Sequence, residues 1–214
     1  MNNYIQWSKV KGIVFDIGNV LIDIDYENTV KQFQKLSTQD FSKVVSYSSQ
    51  IEFFNQYERG EISTAEFVSA VKKYLKPDTT DEQVIAAWNK MLVHYPAQKM
   101  TLLEELKSDF QLFALSNINE LHIALMNENI KRLYGKEAFS DYFDKAFYSN
   151  EIGMRKPERR IYDYLINKSG ISAEHLLFID DKKENVAAAS EFGIQTIHLE
   201  KPEYLYSFFE HFFE

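Results

Sequence analysis

Ile13-Val14-Phe15-Asp16-Ile17-Gly18-Asn19-Val20-Leu21 is the stretch on which the fold turns. Its opening residues form a short apolar run, rich in β-branched and aromatic side chains, that halts on a carboxylate. Such a run predicts a fully buried strand. An aspartate at the C-terminal end of that strand belongs at the mouth of an open α/β sheet, where these sheets bind ligands. Leu176-Leu177-Phe178-Ile179 repeats the pattern and ends on Asp180-Asp181. Two strands delivering carboxylates to one edge point to a metal site, a nucleophile, or both.

Working outward, strands are predicted over 11–16, 110–116, 145–149, 176–180 and 194–199, with helices over 98–107, 118–131, 157–168 and 183–192. This alternation implies an α/β fold, a Rossmann-like parallel sheet covered on both faces. Residues 24–97 break the alternation, with no predicted strand and several amphipathic helical patterns. Val30 and Phe33, then Ile51, Phe54 and Tyr57, then Phe67, Val71 and Tyr74 are spaced as on helix faces. Ser63 and Thr80 stand where helix N-caps belong. The predicted organisation is therefore a core of residues 1–23 and 98–214 with an inserted helical cap subdomain at 24–97. The plainer alternative is a helical segment packed beside the sheet. The aromatic tail from Tyr204 to Glu214, with Tyr206, Phe208, Phe209, Phe212 and Phe213, predicts a closing helix on the sheet rather than a partner-binding one.

Composition narrows the function. The chain has 214 residues, enough for one α/β domain with a sizeable core. A net charge of −8 argues against binding nucleic acid or an anionic membrane surface. No apolar run approaches the roughly 20 residues of a membrane span. Met1-Asn2-Asn3-Tyr4 lacks the start of a signal peptide. Cysteine is absent, which excludes disulfides and thiolate metal sites. The expected setting is cytoplasmic. His94, His122, His175, His198 and His211 have no metal-ligand spacing and receive no catalytic role, while Trp7 and Trp88 read as packing residues.

Four features follow one another: Asp16; the run Leu112-Phe113-Ala114-Leu115 ending on Ser116-Asn117; Gly153-Met154-Arg155-Lys156-Pro157-Glu158; and Asp180-Asp181 with Asn185 beyond. Each alone has a bland reading. Ser-Asn at a strand end is commonly a turn, Lys-Pro a solvated helix start, and Asp-Asp a helix cap. Their order on one scaffold is what carries weight.

With these residues the chain resembles the haloacid dehalogenase superfamily of hydrolases over nearly its full length. Phe15-Asp16-Ile17-Gly18-Asn19-Val20-Leu21, Tyr57-Glu58-Arg59-Gly60-Glu61-Ile62-Ser63 and Gly153-Met154-Arg155-Lys156-Pro157-Glu158 are similar to the branch that groups α-D-glucose-1-phosphate phosphatases with the N-terminal phosphatase domain of epoxide hydrolases. The resemblance implies a magnesium-dependent phosphatase acting on a small phosphorylated metabolite, such as glucose 1-phosphate or another sugar phosphate. It implies that Asp16 attacks phosphorus to form an aspartyl-phosphate. Asp16, the Gly18 carbonyl, Asp180 and Asp181 would hold Mg2+. Ser116 and Asn117 would bind phosphoryl oxygens, and Lys156 would neutralise developing charge. Arg155 is expected to face solvent.

The chain departs from the superfamily at Gly18, where most phosphatases carry an acid/base aspartate. General acid–base help is worth about 10²–10⁴-fold, or roughly 3–5 kcal/mol, so a slower phosphatase is expected. Asp23 and Asp25 are candidate replacements, against the reading of both as loop or helix-start carboxylates. Within the cap, Arg59 is a candidate substrate-binding residue, and Gly60 either supports a turn there or ends a helix. Two rival readings stand: a metal-free haloacid dehalogenase-type hydrolase, and a binding or regulatory homologue weakened by Gly18. The paired acids count against the first, because they would repel Asp16 without a cation.

Overall fold

The computed structural model describes residues 5–41 and 52–210 of the chain. Ile51, His211, Phe212, Phe213 and the Met1–Tyr4 stretch lie outside the described residues. Five parallel strands form one sheet in the order β5-β4-β1-β6-β7. They are β1 (Gly12–Phe15), β4 (Gln111–Ser116), β5 (Lys145–Tyr148), β6 (Leu176–Asp180) and β7 (Gln195–His198). β1 lies at the centre, and Ile13, Val14 and Phe15 are fully buried.

Side chains of a strand alternate between the two sheet faces. Ile13 and Phe15 accordingly join an apolar cluster with Leu102, Leu103, Leu106, Met126 and Ile130. Val14 joins one on the other face with Ile161, Tyr162, Leu165 and Phe178. Burial on both faces explains the unbroken apolar runs in β1 and β6. Successive parallel strands need long crossovers, and all four contain helices; those after β4 hold Glu120–Tyr134 between β4 and β5, Arg159–Ser169 between β5 and β6, and Lys183–Ser190 between β6 and β7.

Between β1 and Ala97–Leu106, the helix that leads into β4, the described residues form four further helices: α1 (Tyr26–Leu36), α2 (Glu52–Glu58), α3 (Thr64–Lys72) and α4 (Asp81–Asn89). Ser63 and Thr80 cap α3 and α4 through full capping boxes. These helices bury a cluster of their own, including Phe33, Phe54, Phe67, Val84 and Trp88.

Two expectations are corrected. Residues 24–97 are not free of strand: β3 (Leu92–His94) pairs antiparallel with β2 (Asp23–Ile24), at the two ends of the helical segment. Strands of two and three residues are too short to show a period. The described tail forms the 3₁₀ turns Pro202–Tyr204 and Tyr206–Phe208 rather than a continuous helix. Aromatic side chains lose rotamer freedom in a helix, and here Leu205 and Phe209 anchor the turns by burial.

Candidate active site

The β1–β6 register decides where the acids meet. Phe15 pairs with Ile179, and the Asp16 amide donates to the Ile179 carbonyl at 2.9 Å. Asp16 and Asp180 therefore leave the sheet side by side. Lys156 Nζ, only 1% exposed, lies between them, 2.9 Å from Asp16 Oδ1 and 2.7 Å from Asp180 Oδ2. The loop that carries the lysine is fixed by a reciprocal pair. Asn117 Nδ2 donates to the Lys156 carbonyl at 2.9 Å, and the Lys156 amide donates to Asn117 Oδ1 at 2.8 Å. Ser116, at the end of β4, is buried beside it.

Asp180 is saturated by protein donors. Besides Lys156, it accepts from the Lys182 amide at 2.8 Å and from Asn185 Nδ2 at 3.0 Å to each oxygen. Asp181 differs. Its Oδ2 accepts from Asn19 Nδ2 at 3.3 Å, while its Oδ1 is buried with no hydrogen-bond partner among the described residues. Asn19 is held at φ 56°, a left-handed conformation that asparagine tolerates better than other side-chain-bearing residues.

Burial pushes the Asp16 carboxyl above the usual range, Lys156 opposes this, and Asp180 reinforces it. Burial and the nearby Asp16 likewise raise Asp181. Burial pulls the Lys156 ammonium down, but Asp16 and Asp180 outweigh it and the ammonium is held above its ordinary value. Carboxylate oxygens of Asp16, Asp180 and Asp181 lie within 4.8 Å of one another. An orphaned buried oxygen within a set of hard oxygen donors fits a divalent cation such as magnesium.

A cavity of about 1180 Å³ opens over this edge, and Gly18, Ser116, Asn117, Lys156 and Asp181 are on its wall. The helical segment forms the opposite wall through Tyr26, Phe54, Asn55, Glu58 and Trp88. Burial pushes the Tyr26 hydroxyl up to about 12, with Glu58, Asp16 and Asp181 adding to the rise and Lys182 opposing it. At the cavity floor Asn119 Oδ1 accepts from Trp88 Nε1 at 3.4 Å and from the His122 amide at 3.1 Å. Its Nδ2 therefore faces His122 Nδ1 at 3.2 Å, which makes Nδ1 the acceptor and puts the proton on Nε2, 3.3 Å from the Trp88 carbonyl. Trp88 and His122 rings also stack, 8° from parallel.

The structure thus gathers Asp16, Gly18, Ser116, Asn117, Lys156, Asp180 and Asp181 at one edge. It does not bring Arg59 there. That guanidinium is held by Glu61 at 2.6 Å and Glu52 at 2.9 Å, with Glu158 at 3.6 Å, outside the cavity lining. Arg155, expected in solvent, instead pairs with Glu58 at 2.8 Å on the cavity wall. Asp23 bonds Lys99 at 3.2 Å and Asp25 caps α1 through the Asn28 amide at 3.1 Å, so neither lines the cavity. Beyond Gly18, a Cβ would meet Ile24 Cδ1 at 2.9 Å, so an apolar side chain fills that space. Sequence reasoning passed over Asn19, Tyr26, Asn55 and Lys182. The only signal for Asn19 and Lys182 was adjacency to motif residues, and the helical pair had none.

A sequence model of the haloacid dehalogenase-like hydrolases matches residues 10–193, and the chain belongs to that family. It is 29% identical over 191 residues to a D-ribitol-5-phosphate phosphatase of Bacteroides thetaiotaomicron, covering 89% of this chain and 92% of that protein. A haloacid dehalogenase family enzyme of the same organism, crystallised as the wild-type protein with magnesium and inorganic phosphate, superposes with a TM-score of 0.80 at 32% identity, over 88% of this chain and 93% of that one. A predicted hydrolase of this type from Porphyromonas gingivalis gives a TM-score of 0.83 at 28% identity, over 96% and 99%. No helix among the described residues is long and apolar enough to cross a membrane.

Proposed function

We propose that this hydrolase is a magnesium-dependent phosphomonoesterase of a small phosphorylated metabolite, working through an aspartyl-phosphate on Asp16. The observation that carries the reading is the buried ammonium of Lys156 bridging Asp16 and Asp180 while Asp181 Oδ1 beside them has no hydrogen-bond partner among the described residues. The relative named for D-ribitol 5-phosphate supports a sugar or polyol phosphate, and the helices of residues 24–97 serve as the cap over it.

Asp16, Asp181 and the Gly18 carbonyl would hold magnesium, with Asp180, whose oxygens already accept protein hydrogen bonds, acting through water. Bound there, the metal would supply Lewis-acid polarisation and neutralise charge between acid and phosphate. The chain's own residues do the rest. Lys156 keeps Asp16 ionised and aimed. Ser116 and the main chain at Asn117 bind phosphoryl oxygens. The Asp16 carboxylate attacks phosphorus as the ester oxygen departs, and water then releases phosphate from Asp16. Gly18 offers no proton, so the departing oxygen takes one from solvent and turnover depends on the leaving group.

The purified protein should release phosphate from a panel of sugar and polyol phosphates with magnesium. Chelator, or Asp16→Asn, should abolish this. Turnover that survives chelation, or a haloacid consumed without metal, would instead favour the dehalogenase reading.

A further inference from the structure

Lys156 is too committed to hold a phosphate by itself. Its ammonium is 1% exposed and already serves Asp16 and Asp180, so two of its three donors are taken. With magnesium in place, the metal and Lys156 carry three positive charges against the three carboxylates of Asp16, Asp180 and Asp181. The loaded edge is then neutral, and a phosphate dianion entering it lacks a net counter-charge.

The cavity wall carries further cations. Arg155 bonds Glu58, and Lys31 bonds Glu27 at 3.1 Å on an exposed stretch of α1. Lys183 is exposed, where solvent screens its charge. Lys182 differs. It is half-buried in the wall, and its ammonium makes no ion pair or hydrogen bond among the described residues. Its backbone is fixed, because the Lys182 amide donates to Asp180 Oδ1 at 2.8 Å. Burial pulls the ammonium down, but Tyr26, Asp16, Glu58 and Asp181 outweigh this and hold it above its ordinary value. Asp16 and Asp181 belong to the acid edge, Tyr26 and Glu58 to the helical wall, so the charge stands between the two.

We propose that Lys182 is a second phosphate-binding cation, whose ammonium bonds phosphoryl oxygens on the side of the phosphate that faces the helical wall. This rests on the phosphomonoesterase reading above. Such a cation stays charged throughout turnover and moves no proton. It offsets the charge of the dianion that Lys156 and the metal leave uncompensated. A half-buried cation without a partner is poised for an anion, because pairing offsets its desolvation.

The test compares Lys182→Met, Lys182→Arg and Lys183→Met with the unaltered protein. Titration calorimetry follows magnesium alone, then inorganic phosphate with magnesium saturating. Lys182→Met should bind phosphate about 10–100-fold more weakly, the worth of one charged hydrogen bond. It should bind magnesium more tightly, because a cation facing Asp16 and Asp181 repels the metal. Lys182→Arg should recover most of the phosphate affinity, and Lys183→Met should resemble the unaltered protein in both titrations. The kcat/KM of Lys182→Met should fall by a similar factor on ribitol 5-phosphate, 3-phosphoglycerate and p-nitrophenyl phosphate alike. Weaker binding of both ions would make Lys182 a structural residue. Unchanged phosphate affinity would remove it from the phosphate site, and a loss confined to 3-phosphoglycerate would move its partner to the leaving group. Each of these results overturns the inference and leaves the phosphatase reading intact. No Asp16-dependent release of phosphate from any of the three substrates would overturn both.

Discussion

Gly60 passes so close to Asn150 that a Cβ at residue 60 would lie 2.2 Å from the Asn150 carbonyl oxygen. With φ at 66°, the residue also occupies a backbone region that side-chain-bearing residues avoid. The contact joins the end of α2 to the segment leading to Lys156. Beside it, Ser149 Oγ donates to the Glu58 carbonyl, and Arg155 bonds the Glu58 side chain. Gly60 therefore does more than end a helix: it lets two parts of the cavity wall meet.

Gly60→Ala should lose about 2–5 kcal/mol, from left-handed backbone strain plus overpacking. Urea denaturation measures this directly. A midpoint equal to that of the unaltered protein would mean that the two segments do not meet so closely.

Magnesium should raise Tm, by an amount equivalent to about 2–3 kcal/mol at a concentration a hundredfold above its dissociation constant. Asp181→Asn should abolish the increase. In chelator the same variant should be as stable as the unaltered protein or more so, because burial and Asp16 already disfavour the Asp181 carboxylate. A full magnesium response in Asp181→Asn would remove Asp181 from the metal site.

Acid should weaken the fold through His122. Burial pulls its pKa down from 6.5 to about 4, against the bond to the Trp88 carbonyl. Between those values the unfolded chain carries a proton that the native state lacks, so stability rises with pH across the window. The contribution is complete above pH 6.5 and fades as pH falls towards 4, a loss of about 3 kcal/mol. His122→Gln should flatten that part of the stability–pH curve. An unchanged slope in the variant would place the acid sensitivity elsewhere.

Restoring a carboxylate at residue 18 tests the cost of the missing acid. Gly18→Asp alone meets Ile24 Cδ1, the flexible end of a side chain. Paired with Ile24→Val, it should raise kcat on alkyl phosphates by about 10²-fold, with a smaller gain on p-nitrophenyl phosphate, whose leaving group needs no proton. Equal gains on both substrates would point away from acid catalysis.

The sheet was legible in the sequence because β1 and β6 are buried on both faces, and their apolar runs stop on the residues that matter. Asp16, Ser116, Asp180 and Asp181 each sit at or just past a strand end, and Lys156 lies in the loop beyond the short helix Ser149–Ile152 that follows β5, so chain order foretold their meeting. The helical wall was less legible. Arg59 was singled out because the segment Glu58-Arg59-Gly60-Glu61 could close over the site and present it to a substrate hydroxyl or phosphate, but Glu52, Glu61 and Glu158 are its partners in space, and Glu158 is distant in sequence. Arg155 was assigned to solvent because only Lys156 of that pair matches the pattern of the resembled family, yet Glu58 at the end of α2 meets it. Asp23 and Asp25 were considered for acid/base chemistry by proximity to Asp16, and a two-residue strand and a helix cap turn them away. Side chains that converge from helices carry no periodic signal of where they converge.

The ring of Trp88 supplies an optical handle on this molecule. It rests flat on His122 from the core, while Trp7 packs on Phe110 and Phe209 at a separate place in the fold. Lifting the helical layer from the sheet would unstack one indole and leave the other undisturbed, so the emission of a Trp7→Phe protein would report any such separation in real time, without an attached dye.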